Sequence, residues 1–151
     1  MQINFKNLKR KYNLEVWGVI HLGSPLVESL YDYQECGVKD LLILEHRRAN
    51  FNVLFDRLKE FDTNIILRKE NNLHLDSYSF KGYNFLIINT NENSFETLKG
   101  CAETLKEIDH VICAEFEELE GFLKAHNMRL IETVRSTGSI ETSFYTKDNL
   151  I

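Results

Sequence analysis

Cysteine and proline are scarce in this sequence, and no apolar run is long enough to span a bilayer. Its three cysteines, Cys36, Cys101 and Cys113, are an odd number without CxxC spacing, so neither a disulfide framework nor a metal site is expected. The N-terminus lacks the apolar segment of a signal peptide. We therefore expect a protein in a reducing, cytoplasmic setting that does not associate with membranes.

The sequence also lacks an excess of positive charge. It holds 18 Lys and Arg against 23 Asp and Glu, which gives a formal net charge of -5 at pH 7. Proteins that bind nucleic acid phosphates or anionic membranes usually present a basic face. The short cluster Lys9-Arg10-Lys11 is typical of a solvated surface. The charge balance therefore predicts no nucleic-acid partner.

What the sequence does contain is a regular alternation of strand-like and helix-like segments, which predicts one α/β domain over residues 1–151. Strands are predicted at Val16 to Leu22, Leu41 to Glu45, Asn64 to Leu67, Asn84 to Thr90, His110 to Phe116, Arg129 to Arg135 and Glu141 to Lys147. Helices are predicted at Pro25 to Cys36, Arg48 to Phe61, Ser94 to Leu105 and Glu117 to His126. Such alternation favours a mostly parallel sheet with helices on both faces. The last two strands are joined by five residues, too few for a helical crossover, so they form an antiparallel hairpin.

The first strand and the turn after it carry the strongest functional signal. An apolar run ends at Gly23, and we expect Ser24 to cap a helix whose first residue is Pro25. Glu45 ends the next strand, where an acid commonly accepts hydrogen bonds from the hydroxyls of a ribose. The alternative is a plain βαβ unit in which Gly23 serves only the turn and Glu45 is solvated.

Several motifs, in consistent order from Val16 to Lys147, resemble the FkbM family of methyltransferases. They are Gly18-Val19-Ile20-His21-Leu22-Gly23, Leu44-Glu45, Leu75-Asp76-Ser77-Tyr78, the block from Tyr83 to Gly100, Ile108-Asp109-His110-Val111, and Arg129-Leu130-Ile131-Glu132-Thr133 with Phe144-Tyr145. The resemblance implies a Rossmann-like class I methyltransferase fold, which also ends in an antiparallel hairpin. It implies transfer of a methyl group from S-adenosylmethionine to a hydroxyl of a sugar or small metabolite.

Candidate site residues follow from the resemblance. Gly23 and Ser24 would lie beside the amino-acid end of S-adenosylmethionine, Glu45 would hold its ribose, and Asp76 would belong to the same cofactor site. His21 and Asn89 are the candidate catalytic residues. For His21, the competing interpretation is a histidine at a strand end whose ring is satisfied by backbone.

Departures from the family pattern favour a second hypothesis, in which the chain is a catalytically inactive binding or assembly module. The family has an aspartate where this chain has Asn89, and a glutamate where it has Ser94. An amide cannot act as an anionic base.

A third hypothesis is an unrelated flavodoxin-like nucleotide-binding domain, against which the terminal hairpin argues. The resemblance implies a small-molecule or glycan acceptor. Because no acceptor-binding domain is recognisable, we also expect a homo-oligomer or a protein partner.

Overall fold

A mixed sheet of seven strands organises the protein. The computed structural model describes residues 4–45, 47–61, 64–68, 82–88, 99–114, 117–135 and 141–150. The strands are β1 Gly18–Leu22, β2 Asp40–Leu44, β3 Asn64–Arg68, β4 Phe85–Ile88, β5 His110–Ala114, β6 Met128–Arg135 and β7 Glu141–Lys147. Their order across the sheet is β3-β2-β1-β4-β5-β7-β6. The first five strands pair in parallel, and β7 pairs antiparallel with both β5 and β6. The predicted sheet and terminal hairpin are therefore confirmed.

Helices cover the sheet between these strands. They are α1 Phe5–Tyr12, α2 Val27–Glu35, α3 Arg48–Arg57 and α4 Glu117–Ala125, with short 3-10 helices at Leu58–Glu60 and Thr104–Lys106. Helix α1 was not predicted; Asn4 caps its start by accepting from the Asn7 N–H, and Asn13 ends it in the left-handed conformation. Of the helix predicted at Ser94 to Leu105, residues 94–98 lie outside the described residues. From Gly100 on the prediction is wrong, because the chain forms turns and then the 3-10 helix Thr104–Lys106. Within the described ranges, no helix combines the length and apolarity that a membrane crossing requires.

Two hydrophobic cores lie on opposite faces of the sheet because successive strand side chains point in opposite directions. On one face, Ile20 and Leu22 belong to a cluster with Leu119 and Leu123 of α4. On the other face, strand residues pack with α1, which precedes β1, and with α2 and α3. This second cluster includes Val19, Ile43 and Phe85 together with Phe5, Leu8, Leu30, Tyr33 and Leu54 from α1, α2 and α3. Burial on both faces explains why β1, apart from His21, is apolar along its whole length.

At the amino edge of the sheet, which is the side where the parallel strands begin, close contacts with the backbone fix the positions of the strands. A Cβ on Gly18 would lie 2.2 Å from the carbonyl oxygen of Gly82, so only glycine allows β1 to approach the chain before β4 this closely. The buried Asn84 side chain accepts a bond from the Trp17 N–H at 3.2 Å and donates one to the Glu15 carbonyl at 2.8 Å. These contacts set the relative positions of β1 and β4, and therefore of the opposite edge, where β1 ends.

Candidate functional site

The candidate site lies at the carboxyl ends of β1 and β2. The Gly23 N–H donates to the Leu44 carbonyl at 2.9 Å, and the Glu45 N–H donates to the Arg68 carbonyl at 3.0 Å. These bonds extend the parallel ladders by one residue beyond the strand ends and bring Gly23 close to Glu45. Strands β2 and β4 flank β1 on opposite sides, so the chain leaves this edge where the strand order reverses. Open α/β sheets bind their ligands in the crevice at such a point.

Gly23 makes the turn at the end of β1 with a φ of 90°. Side chains with a Cβ rarely adopt this conformation, whereas glycine does so at no steric cost. The predicted role of Gly23 in the turn is therefore confirmed. The turn directs the chain from β1 toward α2 and leaves the backbone at this point uncovered by a side chain of its own.

The Glu45 carboxylate is completely buried beside this turn. Within the described part of the chain, it accepts a bond from Ser24 Oγ at 2.8 Å on Oε2, and bonds from Arg47 N at 2.9 Å and Arg47 Nε at 3.0 Å on Oε1. Burial raises the pKa of Glu45, but the bonds from Arg47 and Ser24 outweigh burial and hold its pKa below the ordinary value. The site therefore contains an ionised acceptor enclosed by protein, and the alternative of a solvated Glu45 is wrong.

The predicted start of the helix after the turn needs correction. Helix α2 begins at Val27 rather than Pro25, and its N-cap is Leu26, which makes no capping bond with its side chain. The Ser24 hydroxyl instead donates to Glu45. A buried carboxylate is a strong acceptor, and Leu26 is in an extended conformation that delays the first helical turn. Ser24 therefore donates a hydrogen bond to Glu45 and does not cap α2.

His21 lies beneath the turn with its ring buried. Its Nδ1 lies 2.9 Å from the Gly23 carbonyl oxygen, which accepts the bond, and its ring centroid lies 6.3 Å from that of Tyr33. Burial lowers the pKa of His21 to about 4, opposed by the bond to Gly23 and by the Glu45 charge. The ring is therefore neutral at pH 7 and bonded to backbone, as in the competing interpretation of this residue.

Two other predicted site residues, Asp76 and Asn89, lie outside the described residues. Sequence reasoning overlooked Arg47, which provides two of the three bonds to Glu45. The sequence signal that could have identified Arg47 is its position two residues after Glu45, just before a predicted helix. The first N–H groups of a helix often donate to a nearby carboxylate.

Comparisons with known proteins place the chain by its fold. No family model and no curated protein sequence matches it. Among solved structures, TrmK from M. capricolum, in complex with S-adenosyl-homocysteine, aligns with 99% of this chain and 71% of its own length at 13% identity and a TM-score of 0.71. A candidate tRNA (m1A22) methyltransferase from Streptococcus pneumoniae, in complex with S-adenosyl-L-methionine, aligns with 97% of this chain and 73% of its own at 14% identity and a TM-score of 0.73.

A candidate RNA methyltransferase from Pyrococcus horikoshii aligns with 94% of this chain and 81% of its own at 14% identity and a TM-score of 0.70. The chain therefore has a Rossmann-like class I methyltransferase fold, as predicted. Membership of the FkbM family is not confirmed, because no family model matches.

The exclusion of nucleic acid from the partners of this protein is contradicted by these neighbours, two of which are described as RNA or tRNA methyltransferases. That prediction was wrong because it was drawn from the net charge of the whole chain. The value of -5 sums the whole chain, whereas an acceptor contacts only part of the surface, and net charge bears on non-specific association rather than on a particular site.

Proposed function

We propose that this protein is an S-adenosylmethionine-dependent methyltransferase whose cofactor binds at the carboxyl ends of β1 and β2. The observation that carries the proposal is the buried, ionised Glu45 carboxylate beside the Gly23 turn at the point where the strand order reverses. A ribose presents two neighbouring hydroxyl donors, and an ionised carboxylate is an acceptor of matching chemistry. The neighbours crystallised with S-adenosyl-L-methionine or S-adenosyl-homocysteine support the same cofactor.

Each described residue has a defined part in this proposal. Glu45 accepts from the ribose hydroxyls, Gly23 allows the ligand to approach the backbone, and Ser24 orients the carboxylate. The cofactor, when bound, supplies an electrophilic methyl group on a sulfonium. His21 supports the turn through its bond to the Gly23 carbonyl, so we assign it a positioning role rather than that of a base.

Residues outside the described ranges complete the proposal from the sequence alone. Asp76 remains a proposed cofactor ligand. Asn89 remains a proposed catalytic residue, and its amide can orient an acceptor by hydrogen bonds but cannot take up the acceptor's proton.

Two different lines of support bear on the acceptor class. The RNA methyltransferases among the neighbours make an RNA base the first acceptor to test. The resemblance of Val16 to Lys147 to the FkbM family makes a hydroxyl of a sugar or small metabolite the second. Transfer of labelled methyl groups to unmodified tRNA and to a panel of free sugars, in parallel reactions, separates these two classes.

Cofactor binding is tested by calorimetric titration with S-adenosyl-homocysteine. Glu45→Gln preserves the size of the side chain but removes its charge, and we expect it to weaken binding roughly tenfold to hundredfold, since hydrogen bonds to charged groups are worth about 1.5–3 kcal/mol. Glu120→Gln, at an exposed position of α4, is the matched control and should bind as the unaltered protein does.

The result that contradicts the proposal is equal binding by the Glu45→Gln protein, or no binding by the unaltered protein at millimolar ligand. Binding without methyl transfer to either acceptor class would instead support the hypothesis of a catalytically inactive binding module.

A further inference from the structure

The Glu45 carboxylate has too few free acceptor positions for a ribose. Two carboxylate oxygens offer about four lone-pair positions in total. In the described structure, three of them accept from Ser24 Oγ, Arg47 N and Arg47 Nε. Two ribose hydroxyls that both donate to Glu45 need two positions, so at least one of the present donors must leave when such a ligand binds.

The three donors differ in how freely they can leave. The Arg47 N–H belongs to the backbone immediately before α3, and moving it would displace the start of that helix. The Ser24 hydroxyl is half-buried, so breaking its bond would cost part of the desolvation penalty of a polar group. The Arg47 side chain is 51% exposed, so of the three donors its guanidinium regains the most contact with water when it leaves Glu45.

A second acceptor lies near the same guanidinium. Asn50 occupies the first turn of α3, and with its amide oxygen turned toward Arg47 that oxygen accepts from Nε at 3.1 Å and from Nη2 at 3.2 Å. The Arg47 side chain therefore keeps a hydrogen-bond partner when it releases Glu45. This lowers the cost of release further.

We propose that the Arg47 side chain is a displaceable latch on Glu45: it occupies the carboxylate in the ligand-free protein, and the vicinal hydroxyls of the bound nucleoside displace it. The inference rests on the proposed function and adds a determinant of affinity to it. Arg47 lowers the affinity for ligands that carry a ribose diol, and because the pair that must break is ionic and its arginine is half-exposed, its effect decreases as salt screens the arginine.

The test compares S-adenosyl-homocysteine binding by the unaltered protein, Arg47→Met and Arg48→Met at low and high salt. Methionine has a similar length but cannot donate to Glu45, while the backbone N–H of residue 47 still can. We expect Arg47→Met to tighten binding roughly twofold to fivefold at low salt, because ion pairs with an exposed arginine are worth up to about 1 kcal/mol. Arg48 is an exposed neighbour in α3, so Arg48→Met removes the same charge and should leave binding unchanged.

Salt provides a readout that general loss of stability would not produce. Raising the salt concentration should tighten binding by the unaltered protein relative to Arg47→Met, so that the two affinities converge. The advantage of Arg47→Met should be present with adenosine and absent with 2′-deoxyadenosine, which lacks the diol. Thermal melting of each variant checks that it is folded.

A third measurement does not depend on affinity. The Arg47 Nε–H resonance, followed by NMR, reports on the acceptor of this group, which in the free protein is the buried Glu45 carboxylate. We expect the resonance to shift when S-adenosyl-homocysteine binds, because Asn50 then remains as the acceptor, while the backbone N–H of Arg47 keeps its bond to Glu45.

The outcomes separate the latch from the proposed function. Tighter binding by Arg47→Met, or binding by that variant alone, supports the latch. Equal or weaker binding by Arg47→Met, or an Nε–H resonance that does not change in the complex, overturns the latch and leaves the cofactor site standing. Absence of binding by every variant overturns both.

Discussion

The two edges of the sheet use polar residues in different ways. At the amino edge, the buried Asn84 amide bonds mainly to backbone, accepting from the Trp17 N–H and donating to the Glu15 carbonyl. At the carboxyl edge, the Glu45 carboxylate takes two of its three bonds from side chains, those of Ser24 and Arg47. Backbone partners cannot be exchanged without unfolding, whereas side-chain partners can be replaced by a ligand. The same sheet therefore has one edge that fixes strands and one edge suited to binding.

Each edge also contains a buried histidine. Burial of a histidine therefore cannot identify which edge binds a ligand. His110 begins β5 at the amino edge, where its Nδ1 lies 2.6 Å from Thr146 Oγ1 and its ring lies near those of Phe85 and Phe144. Burial lowers the pKa of His110 to about 4, as it does that of His21. A lowered histidine pKa thus occurs at both edges, and it does not by itself mark the binding edge.

Acid should destabilise both edges together, and this is the largest effect we expect. Both histidines have a pKa of about 4 in the folded protein and 6.5 when unperturbed. Between these values the unfolded chain binds protons that the folded protein does not, so stability is complete above pH 6.5 and falls as the pH drops toward 4. Each histidine should cost about 2 kcal/mol at about pH 5.

Urea unfolding at about pH 7.5 and about pH 5 measures this loss. His110→Gln should remove about half of the pH dependence, because among the described histidines His21 is then the one left whose pKa burial lowers to about 4. An unfolding midpoint that does not change between the two pH values would show that the histidines are accessible to protons in the folded state.

Breaking the amino edge should reduce stability without reducing ligand affinity. In Gly18→Ala, the new Cβ meets the Gly82 carbonyl oxygen at 2.2 Å, so β1 and the chain before β4 must separate. We expect a loss of roughly 3 kcal/mol in the free energy of unfolding. Gly121→Ala is the control, because a Cβ there meets no atom within 4 Å and alanine favours the helix. A Gly18→Ala protein as stable as this control would contradict the close approach.

Breaking the carboxyl edge should reduce both stability and ligand affinity. Gly23→Ala forces a residue with a Cβ to adopt a φ of 90°, at a cost of about 2 kcal/mol. We expect the turn to shift and binding of S-adenosyl-homocysteine to weaken more than in Gly18→Ala, when both are measured by calorimetry under conditions where the proteins are folded. Equal affinities in the two variants would remove the distinction between the edges.

The sheet could be predicted from the sequence because local apolar runs determine strands. All seven predicted strands are present, and the predicted ends that lie in described residues differ from the observed ends by at most two residues. The predicted ends at Thr90 and Phe116 lie outside the described residues. The exception to local reasoning is α1, where Phe5 and Leu8 are the buried residues of an eight-residue, cation-rich segment. Its stability comes from distant partners, since the Phe5 ring lies 5.0 Å from both the Tyr33 and Phe85 rings.

The candidate site was only partly predictable for a related reason. Gly23 and Glu45 could be predicted because each stands at the end of an apolar segment that predicts a strand. The roles of Ser24 and Arg47 could not, because the bond between Ser24 and Glu45 depends on the pairing of β1 with β2 across 21 residues of chain. Which groups a long side chain such as Arg47 contacts likewise depends on the folded structure around it and not on its neighbours in the sequence.

The central claim is that the carboxyl edge of β1 and β2 binds the cofactor and the amino edge does not. The most direct test is an NMR titration with S-adenosyl-homocysteine that follows the backbone amide resonances. We predict that saturable shifts concentrate at Gly23, Ser24, Glu45 and Arg47, while the amide of Asn84 stays unchanged. Shifts centred on the amino edge, or no shifts at millimolar ligand, would contradict the account.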